Sequence, residues 1–364
     1  MNSTKAPQII EHIQKSVAYT AHETRWIPRT ARFVSVGVGS SGKGIIQIFE
    51  LSKGELKTLA DCPSVLPHGI KCSTLGASRV EDRQLAVGDF TGGLSIFDLE
   101  TLDQSQSKSL FHNIKAHNGI INSIDGIGGP STGPGAPELV TGGKDGFVRV
   151  WDPRVKYPVV CLEPKSASQA RDCWAVCFGN SYNDEERCVC AGFDNGDVKL
   201  FDLRTNSLRW ETNCGNGVTC LQFDRGDIAM NKLVITTLES KLRCYDMRTF
   251  HPSDGYTYLE ERAHRSTVWV SRHLPQNRDI FVTAGGNGGL NLYKYHYPTN
   301  RIGKHTQDGA SIGIIGTIEL LNSRVVSTQP IVSLDWSPDK LGLCCFSCLD
   351  QTIRVSIVTQ LEKY

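Results

Sequence analysis

A chain of 364 residues with 39% hydrophobic and 21% charged residues has the composition of a globular protein with a substantial core. Its 39 Lys and Arg against 38 Asp and Glu leave a net charge of +1, too weak a field to hold nucleic acid or an anionic membrane as a main partner. No apolar run reaches the roughly 18–20 residues of a membrane helix, and MNSTKAPQIIEHIQKS lacks the apolar stretch of a secretory leader, so thirteen scattered cysteines read as reduced thiols of a cytoplasmic protein.

The 35 glycines and 15 prolines are dispersed, which suggests many short strands joined by tight turns. The first predicted element is a short apolar-rich strand at 7–14 (PQIIEHIQ). Behind it one hairpin recurs seven times: SSGKGIIQIFEL (40–51), VGDFTGGLSIFDL (87–99), TGGKDGFVRVWDPR (141–154), AGFDNGDVKLFDLR (191–204), TTLESKLRCYDMR (236–248), AGGNGGLNLYKY (284–295) and SCLDQTIRVSIV (347–358). Its aromatic slot holds Phe49, Phe97, Trp151, Phe201, Tyr245 and Tyr293, with Ser356 as the exception, at steps of 48, 54, 50, 44, 48 and 63 residues. Five positions earlier stand Gly44, Gly92, Gly146, Gly196, Ser240, Gly288 and Gln351; nine earlier stand the small residues Ser40, Gly88, Gly142, Gly192, Thr236, Ala284 and Ser347.

A glycine turn thus joins two strands, the second apolar on both faces, as in VRVW and KLF. A strand apolar on both faces must be covered on both, which stacked sheets achieve, and the small residues let neighbouring sheets approach. A further strand with its own aromatic (Trp26, Phe178, Phe223, Trp336) precedes each hairpin, and a more polar one follows, as in SLRWET at 207–212. Seven four-stranded units closed in a ring make an all-β, seven-bladed β-propeller. The pattern resembles the WD-repeat family, whose dipeptide stands literally at Trp151-Asp152. The expected blades are about 17–60, 69–113, 117–162, 171–212, 217–261, 264–321 and 330–358, in one domain over 1–364. The last lacks its outer strand, and 7–14 is the expected donor, tying the ends together and removing an open edge. A Gly/Pro-rich stretch at 125–138 and a long connection from Tyr295 to about Ile315 interrupt the period.

Three motifs mimic chemistry. GVGSSGKG (37–44) lacks the Ser or Thr after the lysine of a phosphate loop and leads into a strand, so a plain turn is the better reading. GASIG (309–313) lies in a loop of an all-β protein, where no nucleophile elbow forms. Cys344, Cys345 and Cys348, and Cys188 and Cys190, fall on predicted inner strands as small hydrophobes rather than metal ligands. His117 and His264 take the place of a structural histidine that, by the family resemblance, buttresses a blade. The reading is of a non-enzyme with no cofactor and no metal.

Four residues before the inner-strand slot stand Trp174 and Trp269, where other blades carry small or polar residues such as Asn122 and Thr219. That position opens the innermost strand at one mouth of the channel. Trp174 with Arg171 and Asp172, and Trp269 with Arg265 and Arg272, therefore form a candidate partner-binding surface; a plug for the channel mouth is the competing reading. The D-x-R tripeptides ending in Arg154, Arg204 and Arg248 also have two readings. Either the aspartate caps the turn and the arginine covers its carbonyls, or the arginines contact the adaptor of a cullin ubiquitin ligase, as in a subset of WD-repeat proteins.

Several unbroken stretches, among them PQIIEHIQK, RDCWAVCFGNSYNDEERCVCAGFDNGDVKLFDLR, VWVSRHLPQNRDIFVTAGG and LDWSPDKLGLC, resemble more narrowly a WD-repeat family of axonemal dynein assembly factors. They include residues between strands, which the general repeat does not account for; Gly39–Gly42 and the insert after Tyr297 depart from it. The resemblance implies a non-enzymatic cytoplasmic scaffold, monomeric within a larger complex. Its implied partners are a chaperone complex of AAA+ ATPases and tetratricopeptide adaptors, the ninety-kilodalton heat-shock protein, and dynein heavy chains. An involvement in apoptosis is also attached to the family.

Overall fold

A computed structural model describes residues 6–102, 109–128, 138–182, 185–305 and 311–364. Among these residues lie seven four-stranded antiparallel sheets and one two-stranded hairpin. The chain enters blade one at Tyr19–Ile27 and runs outward through Arg32–Gly39, Gly44–Ser52 and Glu55–Leu66. The next six blades begin at Ile70–Thr74, Ile121–Gly126, Cys173–Gly179, Val218–Phe223, Val268–Leu274 and Ile331–Trp336. Each innermost strand packs against those of the two adjoining blades, including the seventh against the first, so the ring is closed.

Blade seven is completed from the other end of the chain. Ile9–Ser16 pairs antiparallel with Thr352–Val358, from Ile9 opposite Val358 to Ser16 opposite Thr352. The strand thus begins two residues later than expected and runs two further. Arg354 meets Glu11 at 3.2 Å, and Asn322 of blade six donates to the Pro7 carbonyl at 2.7 Å.

Seven clusters of buried apolar side chains follow, one at each boundary between blades. Between blades three and four, Val140, Val148 and Val150 meet Val176, Phe178, Val189 and Phe193. Each fully buried aliphatic or aromatic side chain contributes about 1.5–3 kcal/mol. Close approach depends on the small residues of the second strand. A Cβ on Gly192 would lie 2.4 Å from Val218, and one on Gly142 2.6 Å from the Cys173 sulfur. Blade one departs from this alignment. Phe33 pairs with Phe49 and Val36 with Ile46, so its hairpin is four residues longer, Val36 takes the small-residue position and Ser40 lies in the turn. The left-handed turn residue there is Gly42 (φ 77°) rather than Gly44.

The connection after blade six's third strand, Gly289–His296, folds onto blade five. Ile302–His305 and Ser311–Gly313 form the short hairpin, Arg301 reaches Asp246 (3.4 Å) and Asn231 (2.8 Å), and the Tyr297 hydroxyl donates to Asp279 at 2.9 Å. Beneath lies Lys232, 1% exposed and neutralised by Asp224 (3.1 Å) and Asp279 (2.8 Å). Ser311 of the GASIG motif belongs to this hairpin and not to a strand-to-helix turn. The stretch 125–138 falls largely outside the described residues. Its start and the preceding blade meet backbone to backbone, with Gly128 N–H donating to Gly76 O at 2.7 Å.

The turn glycines Gly92, Gly146, Gly196 and Gly288 all have positive φ, and so do their counterparts Ser240 (69°) and Gln351 (59°). An L side chain there costs about 1–2 kcal/mol. Ser240→Gly and Gln351→Gly should therefore each raise stability by about 1 kcal/mol in chemical denaturation. Gly288→Ala, whose Cβ would lie 1.9 Å from the Ser327 carbonyl oxygen, should destabilise the fold.

Candidate functional site: the central channel and its mouth

Every innermost strand breaks register with its neighbour at one equivalent place: Ala21/Glu23, Ile70/Cys72, Ile121/Ser123, Cys173/Ala175, Val218/Cys220, Val268/Val270 and Ile331/Ser333. A bulge re-aims the residue it leaves unpaired. Those residues are His22, Lys71, Asn122, Trp174, Thr219, Trp269 and Val332, and all seven line the central cavity of about 1060 Å³.

Trp174 and Trp269 thus flank Thr219 at this mouth. Trp269 is 37% exposed, and Trp174 is half-buried against Gly217. Arg171 and Arg265 are exposed, and neither they nor Asp172 is among the residues lining the cavity. Asp172 is half-buried, and burial followed by the repulsion of Asp194 raises its carboxyl above the ordinary range. Arg272 does not stand beside Trp269 on the rim. Three residues further along the strand, it lines the channel interior at 15% side-chain exposure.

Inside lies a polar belt that the reading of the sequence passed over. Arg25 bonds Glu23 at 2.5 Å and approaches Asp335 at 3.9 Å, while Arg272 lies 3.8 Å from Glu23. The carboxylates also join blades. Asp125 accepts from Phe178 N–H (2.9 Å), Asp335 from Trp26 N–H (2.9 Å) and Glu23 from Ser73 N–H (2.6 Å); Gln222 accepts likewise from His273 N–H (2.7 Å). Burial raises the Asp125 and Asp335 carboxyls. For Arg25 burial works against the charge, but Glu23, Asp335 and Asp125 outweigh it and hold the guanidinium above its ordinary range. Arg25, Asp125, Gln222, Arg272 and Asp335 all stand one residue before the inner-strand slot. Extending the count that found the tryptophans would have found them.

The histidines serve the blades. His117 Nδ1 meets Asp145 Oδ1 at 2.8 Å, its Nε2 meets Thr141 Oγ1 at 2.7 Å, and Trp151 Nε1 donates to the same hydroxyl at 2.9 Å. His264 Nε2 meets Thr283 Oγ1 at 2.8 Å. Cys188 and Cys190, and Cys344, Cys345 and Cys348, are buried on the second strands of blades four and seven, one strand outward from the channel. Among the described residues no group of His, Cys, Asp or Glu is placed to hold a metal ion, and no helix is long and apolar enough to cross a membrane.

In the D-x-R tripeptides the aspartates cap the turns: Asp152, Asp202 and Asp246 accept the amides of Arg154, Arg204 and Arg248 at 2.9, 2.9 and 3.0 Å. The Arg154 guanidinium folds onto its own Asp152 (2.8 Å) rather than over the carbonyls, at 71% side-chain exposure. The Arg204 side chain is 64% exposed and Arg248 is exposed.

Sheet order, ring closure and the His–Thr–Trp bonds define the chain as a WD-repeat β-propeller. A WD domain, G-beta repeat family model matches residues 108–152, and the model for the N-terminal domain of nucleolar protein 10-like proteins matches 132–285. The chain is 54% identical over 364 residues, and 100% of each chain, to dynein axonemal assembly factor 10 of Homo sapiens. It is 48% identical to that of Chlamydomonas reinhardtii at the same coverage, and 25% identical to that of Dictyostelium discoideum over 95% of this chain and 94% of the relative. It belongs to the dynein axonemal assembly factor 10 family.

Burial lowers His264 and His273 to about 4, and lowers His117 as well. His264 and His273 are neutral in the folded protein above about pH 4 and titrate near 6.5 when unfolded. Their contribution is complete above about pH 6.5 and is lost as pH falls toward about 4, by up to about 1.4 kcal/mol per pH unit for each proton taken up on unfolding. Urea denaturation at pH 7.5 and 5.0 should show lower stability at pH 5.0, with a smaller difference in His264→Gln.

Proposed function

We propose that this chain is a non-enzymatic, cytoplasmic protein-interaction scaffold that helps fold or stabilise axonemal dynein heavy chains. It works with a chaperone complex of AAA+ ATPases, a tetratricopeptide adaptor and the ninety-kilodalton heat-shock protein. The observation that carries this reading is full-length identity of 48–54% to proteins named as dynein axonemal assembly factors, from an alga to human. A closed ring held by seven apolar interfaces offers a rigid surface for such a role. Trp174 and Trp269 at the channel mouth, with Arg171, Asp172 and Arg265 close to them in the chain, are its partner contacts: large aromatics held partly exposed are typical interaction anchors.

Affinity capture of the tagged chain from ciliated-cell cytoplasm should recover the AAA+ ATPases, the tetratricopeptide adaptor and dynein heavy chains. In the Trp174→Ala, Trp269→Ala double variant at least one of these should be lost, at unchanged folding by circular dichroism. Charge reversal at Arg154 and Arg204 should leave the recovery untouched. Recovery of a cullin and its adaptor, abolished by that reversal, would instead assign the exposed arginines to ligase recruitment.

A further inference from the structure

The channel carries an imbalance in hydrogen bonding. The carboxylates of the belt, Glu23, Asp125 and Asp335, are committed, each accepting a backbone amide of the next blade, with Glu23 also bonded to Arg25. The arginines are committed only in part: Arg25 Nε donates to the Ser73 carbonyl at 3.2 Å and Arg272 Nη1 to the Ser271 carbonyl at 3.1 Å. Arg272 Nε is buried with no hydrogen-bond partner, and its Nη2 stands 3.8 Å from Glu23. Arg25 Nη1 has Asp335 no nearer than 3.9 Å. Both guanidiniums are largely desolvated, at 16% and 15% side-chain exposure. In such surroundings a charge-assisted bond to a carboxylate is stronger than in water. Lys71 is a further cation at the mouth that Trp174, Trp269 and Val332 also line, and Arg79, Arg83 and Arg225 line the same cavity. The cavity, at about 1060 Å³, exceeds what one side chain fills.

Resting on the reading of this mouth as a partner face, we propose that the channel takes up the carboxylate of an acidic side chain presented by an extended segment of a protein partner. Arg25 and Arg272 anchor the carboxylate, and the tryptophans cover the apolar flanks of the segment. An aspartate or glutamate supplies acceptors where the channel has spare donors. A basic side chain would meet two arginines and carboxylates already in use.

The test uses the full chain and a capped heptapeptide of sequence Ser-Leu-Ser-Glu-Ser-Leu-Ser, titrated by tryptophan fluorescence and by the arginine Nε–H resonances. The glutamate peptide should bind at least tenfold more tightly than its glutamine or lysine counterpart and should shift the Arg272 Nε–H signal. Arg272→Lys should weaken it at least tenfold. That variant keeps the backbone carbonyl that accepts from Trp336 Nε1 at 3.1 Å, and its thermal unfolding checks that the fold is retained. Equal binding of the glutamine peptide, tighter binding of the lysine peptide, wild-type affinity in Arg272→Lys or no binding at all would overturn the proposal. Glutarate binding more tightly than the peptide would replace the partner segment with a small-molecule occupant. A chain that binds the peptide yet captures no dynein or chaperone component would leave this site standing and overturn the assembly reading. Capture without peptide binding would do the reverse.

Discussion

A sheet that is apolar on both faces cannot face water on either, and everything else in this molecule follows from satisfying that condition seven times. Val148, Val150 and Leu200 belong to strands whose two sides both need cover, so each blade is a partial structure until a neighbour stands on each side. A row of such blades would always leave two naked faces, and closing the row into a ring removes both. The N-terminal strand has the same logic along the other axis. By pairing Ile9–Ser16 with Thr352–Val358 it completes the seventh sheet and makes closure a hydrogen-bonded as well as an apolar event.

Closure also creates the candidate site. Seven inner strands meeting around an axis leave a channel, and the bulge each carries at the same place turns one side chain per blade into its mouth. Carboxylates and a glutamine deeper inside reach across to the backbone of the next blade. The belt is therefore structural first: it supplies side-chain acceptors for inner-strand amides that the sheet ladders leave available. Its arginines, drawn in to balance those acids, keep donors to spare.

The blades differ where the repeat is imperfect. Blade one tolerates a hairpin four residues longer because a longer turn projects into solvent without touching the stack. The insert of blade six acts as a brace, laying Arg301 onto Asp246 of blade five and Tyr297 onto Asp279 of blade six, and sealing Lys232 in an ion-paired pocket. Nothing in the insert's composition announced that contact, since Arg301 and Asp246 stand far apart in the chain and meet only once two blades are side by side.

Fold class, blade number, the buried aromatic slots, the strand that closes the ring and the mouth position of Trp174 and Trp269 could all be read from the chain. Within each repeat the slots fall at fixed offsets, and the closing strand is a short apolar-rich run; both are local properties that a single sequence carries. Arg25, Asp125 and Asp335 stand at equally regular positions, yet their side chains are unalike, so no repeat of residue type marked them. Arg272 stands three residues from Trp269 in the sequence, whereas the pleat and the bulge send the two to different depths of the channel. Which charges face one another across that channel, and which donors remain unpaired there, are long-range matters decided only by ring closure. It brings residues of blades one, three, six and seven to a single axis, and no periodicity along the chain encodes that meeting.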